Sequence, residues 1–276
     1  MQQEEKASIF RALHAGETFI IPNPWDIGTT RILTQLGYKA LATTSAGYAF
    51  TRGLRDSDWA IGRAEMLAHA REIVEATDLP VSADLESGFG DAPEDAAEPI
   101  TQAAGVGLVG GSIEDVSSDK ESPIYGFDHA VERVAAAVEA ARALPFPFVL
   151  TARAENFLHG RPDLDDTIKR LQAFEKAGAD VLYAPGLRDI ESIRQVCASV
   201  SKPVNVVMGL AGASFSLSEL SKAGVKRISV GSALSRAALG AFLRAAEEMR
   251  DHGTFGFADD AATFATLTPY MKETPR

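Results

Sequence analysis

The chain has 276 residues, of which 46% are hydrophobic and 24% charged, and its formal net charge at pH 7 is −11. These values are those of an ordinary globular protein, which can bury one large core or two smaller ones. The acidic balance argues against nucleic acid and anionic membranes as partners. The sequence contains no run of about 18 apolar residues, so a membrane span is not expected. Cys197 is the single cysteine, which excludes an internal disulfide, and the polar first residues are unlike a signal peptide. We therefore expect a cytoplasmic protein.

One rhythm repeats along the chain: a short apolar or β-branched run, a turn of Gly, Pro, Asp or Ser residues, and an amphipathic helical stretch. In chain order, the predicted strands are Phe19–Ile21, Ala40–Thr44, Val81–Asp84, Gly107–Glu114, Phe148–Arg153, Val181–Tyr183, Val204–Val207 and Ile228–Val230. Helical spacing of apolar residues predicts a helix over Glu65–Thr77. Asp163–Gly178 begins with acidic residues and ends in glycine, as helix caps require. Asp189–Val200, which carries Cys197, is predicted as an outer helix, so a catalytic role for this cysteine is not expected.

Eight strands that alternate with helices over about 230 residues are typical of a (β/α)8 barrel. A doubly wound sheet is the alternative, but such a sheet more usually has about six strands. No low-complexity linker marks a second domain, so we predict one barrel domain over residues 1–276. Ala233–His252 and Phe257–Leu267 are predicted as additional helices after the last strand. This segment, about residues 233–276, needs a surface to pack on, and a neighbouring subunit is a common one.

Charged residues mark the ends of three neighbouring predicted strands. Asp84 and Glu86 follow the third strand, Glu114 ends the fourth, and Arg153 ends the fifth. Since the active-site residues of barrels lie at these ends, the side chains are expected to converge. Carboxylates suit a hard divalent cation such as Mg²⁺, and an arginine fork suits a carboxylate or phosphate. Each residue also has a structural interpretation, such as an ion pair of Arg153 with Glu155.

Other strand ends carry weaker signals. Trp25 follows the first strand, and Asn205 lies in the seventh. Ser45 and Gly47 follow the second strand, where they either form a turn or offer backbone N–H groups to an anion. His159 is the one histidine near the expected mouth, and the five histidines show no metal-ligand spacing.

Taken in order, these residues resemble the isocitrate lyase / phosphoenolpyruvate mutase superfamily, from about Ile20 to Gly231. The motifs that carry the resemblance are Asn23-Pro24-Trp25-Asp26, Thr44-Ser45-Ala46-Gly47, Gly53-Leu54-Arg55-Asp56, Asp84-Leu85-Glu86-Ser87-Gly88-Phe89-Gly90, Ile113-Glu114-Asp115, Ala152-Arg153-Ala154-Glu155 and Asn205. Singly these motifs are modest, but their order and spacing are specific.

The resemblance implies a (β/α)8 barrel whose final helix is often swapped between the subunits of a homodimer or homotetramer. It also implies Mg²⁺, with Mn²⁺ as an alternative ion, and small anionic 2-oxo or 2-hydroxy acids or phosphonopyruvate as substrates. The implied roles are metal binding for Asp84, Glu86 and Glu114, substrate binding for Trp25, Ser45, Ala46, Gly47, Asp84, Arg153 and Asn205, and catalysis for Asp56, Arg153 and Lys120. Glu86 replaces the second aspartate of the family motif.

Three departures from the family bear on the reaction. The isocitrate and methylisocitrate lyases carry a K-[KR]-C-G-H loop after I-E-D, but Val116–Gly126 contains neither Cys nor His. Lys120 falls near the gating-loop lysine of the mutase and phosphonopyruvate hydrolase branch, without the asparagine expected after it. The family carries a glutamate or histidine after the sixth strand, but here Tyr183-Ala184-Pro185-Gly186 occupies that position.

The expectation is a Mg²⁺-dependent lyase that acts on a small 2-oxo or 2-hydroxy di-acid through an enolate, by C–C cleavage or decarboxylation. The alternatives are a phosphoenolpyruvate or phosphonopyruvate mutase or hydrolase, and a barrel that binds a 2-oxo acid without turnover.

Overall fold

The computed structural model describes residues 1–56, 60–212 and 214–271, in which eight parallel strands alternate with helices in a nearly closed (β/α)8 barrel. The strands are β1 Phe19–Ile21, β2 Leu41–Ala42, β3 Val81–Asp84, β4 Gly110–Glu114, β5 Val149–Arg153, β6 Val181–Tyr183, β7 Val204–Val207 and β8 Arg227–Ser229. The helices are α1 Gln3–Ala15, α2 Ile27–Gln35, α3 Ser45–Thr51, α4 Arg63–Glu75, α5 Pro93–Gly105, α6 Phe127–Arg142, α7 Leu164–Ala177, α8 Ile190–Ser199, α9 Leu217–Lys222, α10 Ala233–His252 and α11 Phe264–Leu267. Short 3₁₀ helices, Gly256–Asp259 and Thr268–Met271, lie on either side of α11. The predicted fold class is confirmed.

The sheet runs β1-β8-β7-β6-β5-β4-β3-β2, and each ladder is parallel. Where β2 faces β1, the Ala42 N–H donates to the Pro22 carbonyl at 3.1 Å. Glu114 and Arg153 are register partners on β4 and β5. Because parallel strands end at one edge, the charged residues that follow β3, β4 and β5 share one mouth of the barrel.

Local signals explain the helix boundaries. The Asp163 carboxylate accepts the Asp166 N–H at 2.9 Å at the start of α7, and Gly178, at φ 109°, ends the helix. These contacts satisfy backbone groups that the helix itself leaves without partners.

Some predicted boundaries are wrong. β4 begins at Gly110 rather than Gly107, because Gly107 has φ 94° and belongs to the turn after α5. Phe257–Leu267 is not one helix, since a 3₁₀ helix and the short α11 divide it.

The N-terminal end of the barrel is closed by α1. Phe10 of this helix is fully buried and packs with Ile21, Val149 and Val181 from three strands. Burying such large apolar side chains stabilises the closed end by about 1.5–3 kcal/mol each. The strands finish at the opposite end of the barrel, where the functional residues of such barrels lie.

Helix α10 stands apart from this core. Ser235 is its one buried residue, while Phe242 is 67% exposed and Leu243 is 57% exposed. In the described residues, no helix is both long enough and apolar enough to cross a membrane. Residues 272–276 of the predicted C-terminal segment lie outside the described residues.

Candidate active site

A cavity of about 450 Å³ lies at the C-terminal mouth of the barrel and is called the mouth cavity here. Its lining residues include Ser45, Asp84, Glu114, Arg153, Gly231 and Arg236. Another cavity, of about 470 Å³, lies beside the start of β5 and is lined by Arg11, Pro145 and Asp180, away from the strand-end acids. Since barrel active sites lie at the C-terminal ends of the strands, the mouth cavity is the candidate site.

Arg153 is the centre of the charged cluster. Its Nη1 donates to Glu114 Oε1 at 2.7 Å and lies 3.2 Å from Asp84 Oδ1, while its Nε donates to Glu155 Oε1 at 2.7 Å. The guanidinium also lies over the Tyr183 ring, 4.9 Å from the ring centroid. Three carboxylates from three strand ends thus share one cation, and the expected convergence is present.

These carboxyl groups outnumber the cation that they share. Burial raises the pKa of Glu114 well above its ordinary value, and Arg153 opposes that shift. Burial also raises the pKa of Glu155, again against the attraction of Arg153. The cluster therefore has a higher affinity for protons than ordinary exposed carboxylates.

Asp84 is held from the opposite side of the mouth. Ser45 donates to Asp84 Oδ2 through its hydroxyl at 2.8 Å and through its backbone N–H at 3.3 Å. The Gly47 N–H donates to Thr44 Oγ1 at 3.2 Å, as part of the N-cap of α3. Both N–H groups predicted to clamp a substrate therefore donate within the protein, so Ser45 would have to leave Asp84 before it could hold a ligand.

The space around Gly47 is also restricted. A Cβ at this position would lie 2.5 Å from Thr44 Cγ2 and 3.3 Å from Trp25 Cβ, so the approach of the two loops requires glycine. Ala46 follows Ser45 along the rim and lines the mouth cavity.

The predicted metal ligands Asp84, Glu86 and Glu114 all line the mouth cavity. Within the described residues, no three His, Cys, Asp or Glu side chains are close enough together to hold a metal directly. Arg153 contacts both Asp84 and Glu114, so the three carboxylates do not form a closed cage. Mg²⁺ usually binds one or two protein carboxylates and completes its shell with water or substrate oxygen. The donor set therefore fits Mg²⁺ that is bound partly through water.

Glu86 owes its position to an uncommon backbone conformation. Its φ is +49°, in the left-handed region where non-glycine residues are rare, and its carbonyl accepts the Glu114 N–H at 3.0 Å. This bond fixes the loop after β3 against the end of β4. Such strain is found at functional sites more often than elsewhere.

Asp115 is structural rather than part of the mouth. It is buried, accepts the Glu155 N–H at 2.8 Å and pairs with Arg170 at 3.0 Å. Its contacts fix the backbone that carries Glu155 into the cluster.

Asp56, whose catalytic role the resemblance implies, and His159, expected near the mouth from its position after the fifth strand, both line the mouth cavity. Residues 57–59, which follow Asp56, lie outside the described residues. Lys120 is exposed in the loop between the bridged residues Val116 and Ile124, and does not line the mouth cavity.

Two predicted substrate contacts, Trp25 and Asn205, do not line the mouth cavity. Trp25 lines a separate pocket with Phe50 and Phe242, because the chain after β1 turns outward toward α10. Asn205 is buried below the mouth, where it accepts from Arg227 Nε at 2.8 Å and donates to Ser229 Oγ at 3.0 Å. Asn205 is the second residue of β7, so its side chain lies deeper than the strand end.

Arg236 is a candidate that the sequence reading missed. It lies in the first turn of α10, lines the mouth cavity and donates to the Gly209 carbonyl at 2.8 Å. Because three carboxylates already surround Arg153, Arg236 is better able to bind an acidic group of a substrate. A sequence signal existed, since this arginine lies four residues after the Gly231-Ser232 turn that follows β8.

Comparison with known families gives one match over most of the chain. Residues 10–250 match the family model described as phosphoenolpyruvate phosphomutase.

Solved structures share the fold. A protein from Burkholderia cenocepacia J2315, described as a "putative lyase/mutase", is 60% identical, with a TM-score of 0.94 over 97% of this chain and 96% of that one. An oxaloacetate acetylhydrolase in complex with the product oxalate is 25% identical, with a TM-score of 0.86 over 98% of this chain and 94% of that one. Among curated proteins, the 2-methylisocitrate lyase of Halalkalibacterium halodurans is 26% identical over 91% of this chain and 84% of its own length.

Proposed function

Because the chain belongs to the phosphoenolpyruvate phosphomutase family, within the isocitrate lyase / phosphoenolpyruvate mutase superfamily, we propose that it is a Mg²⁺-dependent lyase. Its substrate is a small 2-oxo or 2-hydroxy di-acid, which it cleaves at a C–C bond or decarboxylates through an enolate. The observation that carries this proposal is the convergence of Asp84, Glu114 and Glu155 on Arg153 in a cavity that also contains Arg236. The relatives named above support the choice, since two of them are named for reactions of small acids.

In this proposal Asp84, Glu86 and Glu114 hold the ion, partly through water. Mg²⁺ bound there supplies Lewis-acid stabilisation of the negative charge that develops on the 2-oxygen. Arg153 keeps the surrounding carboxylates in place and faces the substrate from the bottom of the mouth cavity. Arg236 binds the distal acid group, and Asp56 lies near the reacting carbon.

The sequence of the loop after β4 limits the types of reaction that the proposed site can catalyse. Val116–Gly126 contains no Cys or His that could transfer a proton as the lyase loop of the family does. We therefore favour decarboxylation or a retro-Claisen or retro-aldol type of cleavage over isocitrate or methylisocitrate cleavage.

A substrate screen tests the proposal. The purified protein is incubated with Mg²⁺ and a panel of 2-oxo and 2-hydroxy di-acids, including oxaloacetate, and the release of pyruvate, glyoxylate, oxalate and CO₂ is followed. Metal-dependent product formation that disappears with EDTA is expected. Binding of these acids without any product would instead support the non-catalytic barrel.

Phosphonate chemistry is the second candidate, because the matching family model is described by the phosphomutase reaction. Phosphate release from phosphonopyruvate would identify a hydrolase, and its isomerisation to phosphoenolpyruvate would identify a mutase. Lys120 would then act from the loop after β4, which would have to close over the mouth.

We further propose one barrel domain that assembles as a homodimer or homotetramer in the cytoplasm, with α10 and the residues after it exchanged between subunits. The exposed Phe242 and Leu243 of α10 support an interface there, because isolated apolar faces of this kind are usually covered.

A further inference from the structure

A smaller space of about 70 Å³, the inner chamber, lies deeper in the barrel than the mouth cavity. Its walls include Ser82, Ser112, Tyr183, Asn205, Arg227 and Ser229, and it shares Asp84 and Arg153 with the mouth cavity. Barrel interiors are usually filled by branched apolar side chains. Here the strands place Ser82, Ser112 and Ser229 at this depth beside Ile21 and Ala83, so the wall carries polar groups and the chamber has room for a ligand.

Arg227 is the unusual member of this lining. It is buried, and its three described hydrogen-bond partners are uncharged. Its Nε donates to Asn205 Oδ1 at 2.8 Å, its Nη2 donates to Thr151 Oγ1 at 2.9 Å, and its Nη1 lies 3.4 Å from His14 Nε2. Among the described residues, no ion pair includes Arg227.

His14 does not supply the missing charge. Its Nδ1 lies 2.8 Å from the Phe10 carbonyl, which makes Nδ1 the protonated nitrogen and Nε2 the acceptor. Burial, and then the charge of Arg227, lower the pKa of His14 to about 3, so the ring is neutral at physiological pH. Burial also lowers the pKa of Arg227, to about 10, which still leaves the guanidinium charged.

Three acids of the mouth are engaged with partners other than Arg227. Asp84 accepts from Ser45 and pairs with Arg153, while Glu114 and Glu155 pair with Arg153 as well. A buried charge without a counter-charge is costly, and water can satisfy its hydrogen bonds but not its charge. Arg227 therefore lacks a counter-ion in a chamber with room for one.

We propose that the inner chamber binds one small monovalent anion beside Arg227, either a halide or a single carboxylate group. A water molecule occupies about 30 Å³ of liquid, so the space admits an ion of that class but excludes large anions such as gluconate. Asp84 in the chamber wall disfavours a second negative charge on the ligand. The inference stands independently of the proposed reaction, because its tests do not use turnover.

Crystals of the 276-residue chain soaked in bromide test the site directly, without any variant. An anomalous peak within hydrogen-bond reach of Arg227 is expected. Absence of that peak at a bromide concentration that gives peaks on the protein surface would overturn the proposal.

Thermal unfolding tests the same site in solution. Replacing gluconate by chloride from about 5 to about 200 mM at constant ionic strength is expected to raise the melting temperature by about 3 °C. Arg227→Met should lose this response, while Arg194→Met should keep it, because Arg194 is half-exposed and paired with Glu191. An equal response in Arg227→Met would overturn the proposal.

The two sources of the anion are separated by adding oxalate to the bromide soak. Loss of the Arg227 bromide peak with oxalate density in its place would show that a substrate carboxylate enters the chamber. A bromide peak that persists beside oxalate would show that the chamber takes an anion from solvent. Both results support an anion site beside Arg227.

Discussion

Arg153 and Glu114 are register partners on neighbouring strands, and their side chains form a 2.7 Å ion pair at the mouth of the barrel. Arg153 is only 12% exposed and Glu114 only 16%, so this pair lies in a medium that screens charge poorly. The same guanidinium also pairs with Asp84 and Glu155, which makes Arg153 the residue on which the site depends.

Removing this cation should damage both stability and activity. Arg153→Met leaves three clustered carboxylates without a counter-charge, so we expect a loss of about 3–5 kcal/mol in the free energy of unfolding, measured by urea denaturation. Arg153→Lys keeps the charge but not the fork, and should recover part of the stability while substrate turnover stays low. Equal turnover in Arg153→Lys and wild type would contradict the assigned role.

Asp84 is expected to control metal affinity. Asp84→Asn removes the charge of the side chain but keeps its size. It should weaken Mg²⁺ binding about 100-fold, as measured by isothermal titration calorimetry, and should reduce metal-dependent turnover to match. Ser45→Ala, which removes only one donor to Asp84, is the matched control and should change Mg²⁺ affinity far less. Unchanged Mg²⁺ affinity in Asp84→Asn would remove this residue from the metal site.

Arg236 is expected to act on substrate affinity. Arg236→Met removes the second guanidinium of the mouth cavity and should raise KM for a di-acid about 10-fold to 100-fold, with a smaller effect on kcat. Arg188→Met is the control, because Arg188 is exposed after β6 and does not line the mouth cavity. A wild-type KM in Arg236→Met would show that the distal acid group binds elsewhere.

The exposed face of α10 should hold the oligomer together. Phe242→Glu replaces an apolar side chain that is 67% exposed in the isolated chain with a charged one. We expect this change to shift the protein toward monomers, as measured by light scattering. Leu217→Glu, on the partly exposed α9, should leave the assembly intact. A wild-type protein that is already monomeric at high concentration would rule out this interface.

His14 should make stability sensitive to acid. Its folded pKa is about 3 against an ordinary value of 6.5, so between these values the unfolded chain binds one more proton than the folded protein. The contribution of His14 is therefore present above the higher value and is lost as pH falls toward the lower one, by up to about 1.4 kcal/mol per pH unit. Urea unfolding of His14→Gln should show a shallower decline with falling pH than wild type. His252→Gln, at the exposed end of α10, should keep the wild-type decline.

Much of the architecture could be predicted from local patterns. The caps at Asp163 and Gly178 fixed the limits of α7 almost to the residue, because each satisfies backbone groups within one turn. The C-terminal segment was harder, since Phe257–Leu267 has little core to pack against, and it forms only part of a 3₁₀ helix and the four-residue α11.

The site was predictable to the extent that it depends on strand ends. Asp84, Glu86, Glu114 and Arg153 converge because parallel strands finish at one mouth, a rule that needs only their positions in the sequence. The depth of Asn205 and the outward turn at Trp25 could not be read in this way. They depend on how far each side chain lies from the mouth and which neighbour it meets.

The sequence by itself determined that an acidic cluster and an arginine would meet at the open end of a (β/α)8 barrel, because strand periodicity and strand order are local properties. Only the tertiary structure decided which groups neutralise one another. Arg153 is surrounded by carboxylates and Arg227 by uncharged acceptors, although each is an arginine in a barrel strand. The physical reason is that the strength of a charge interaction depends on the distance between the groups and on their burial. For residues far apart in the chain, both are set only when the barrel closes.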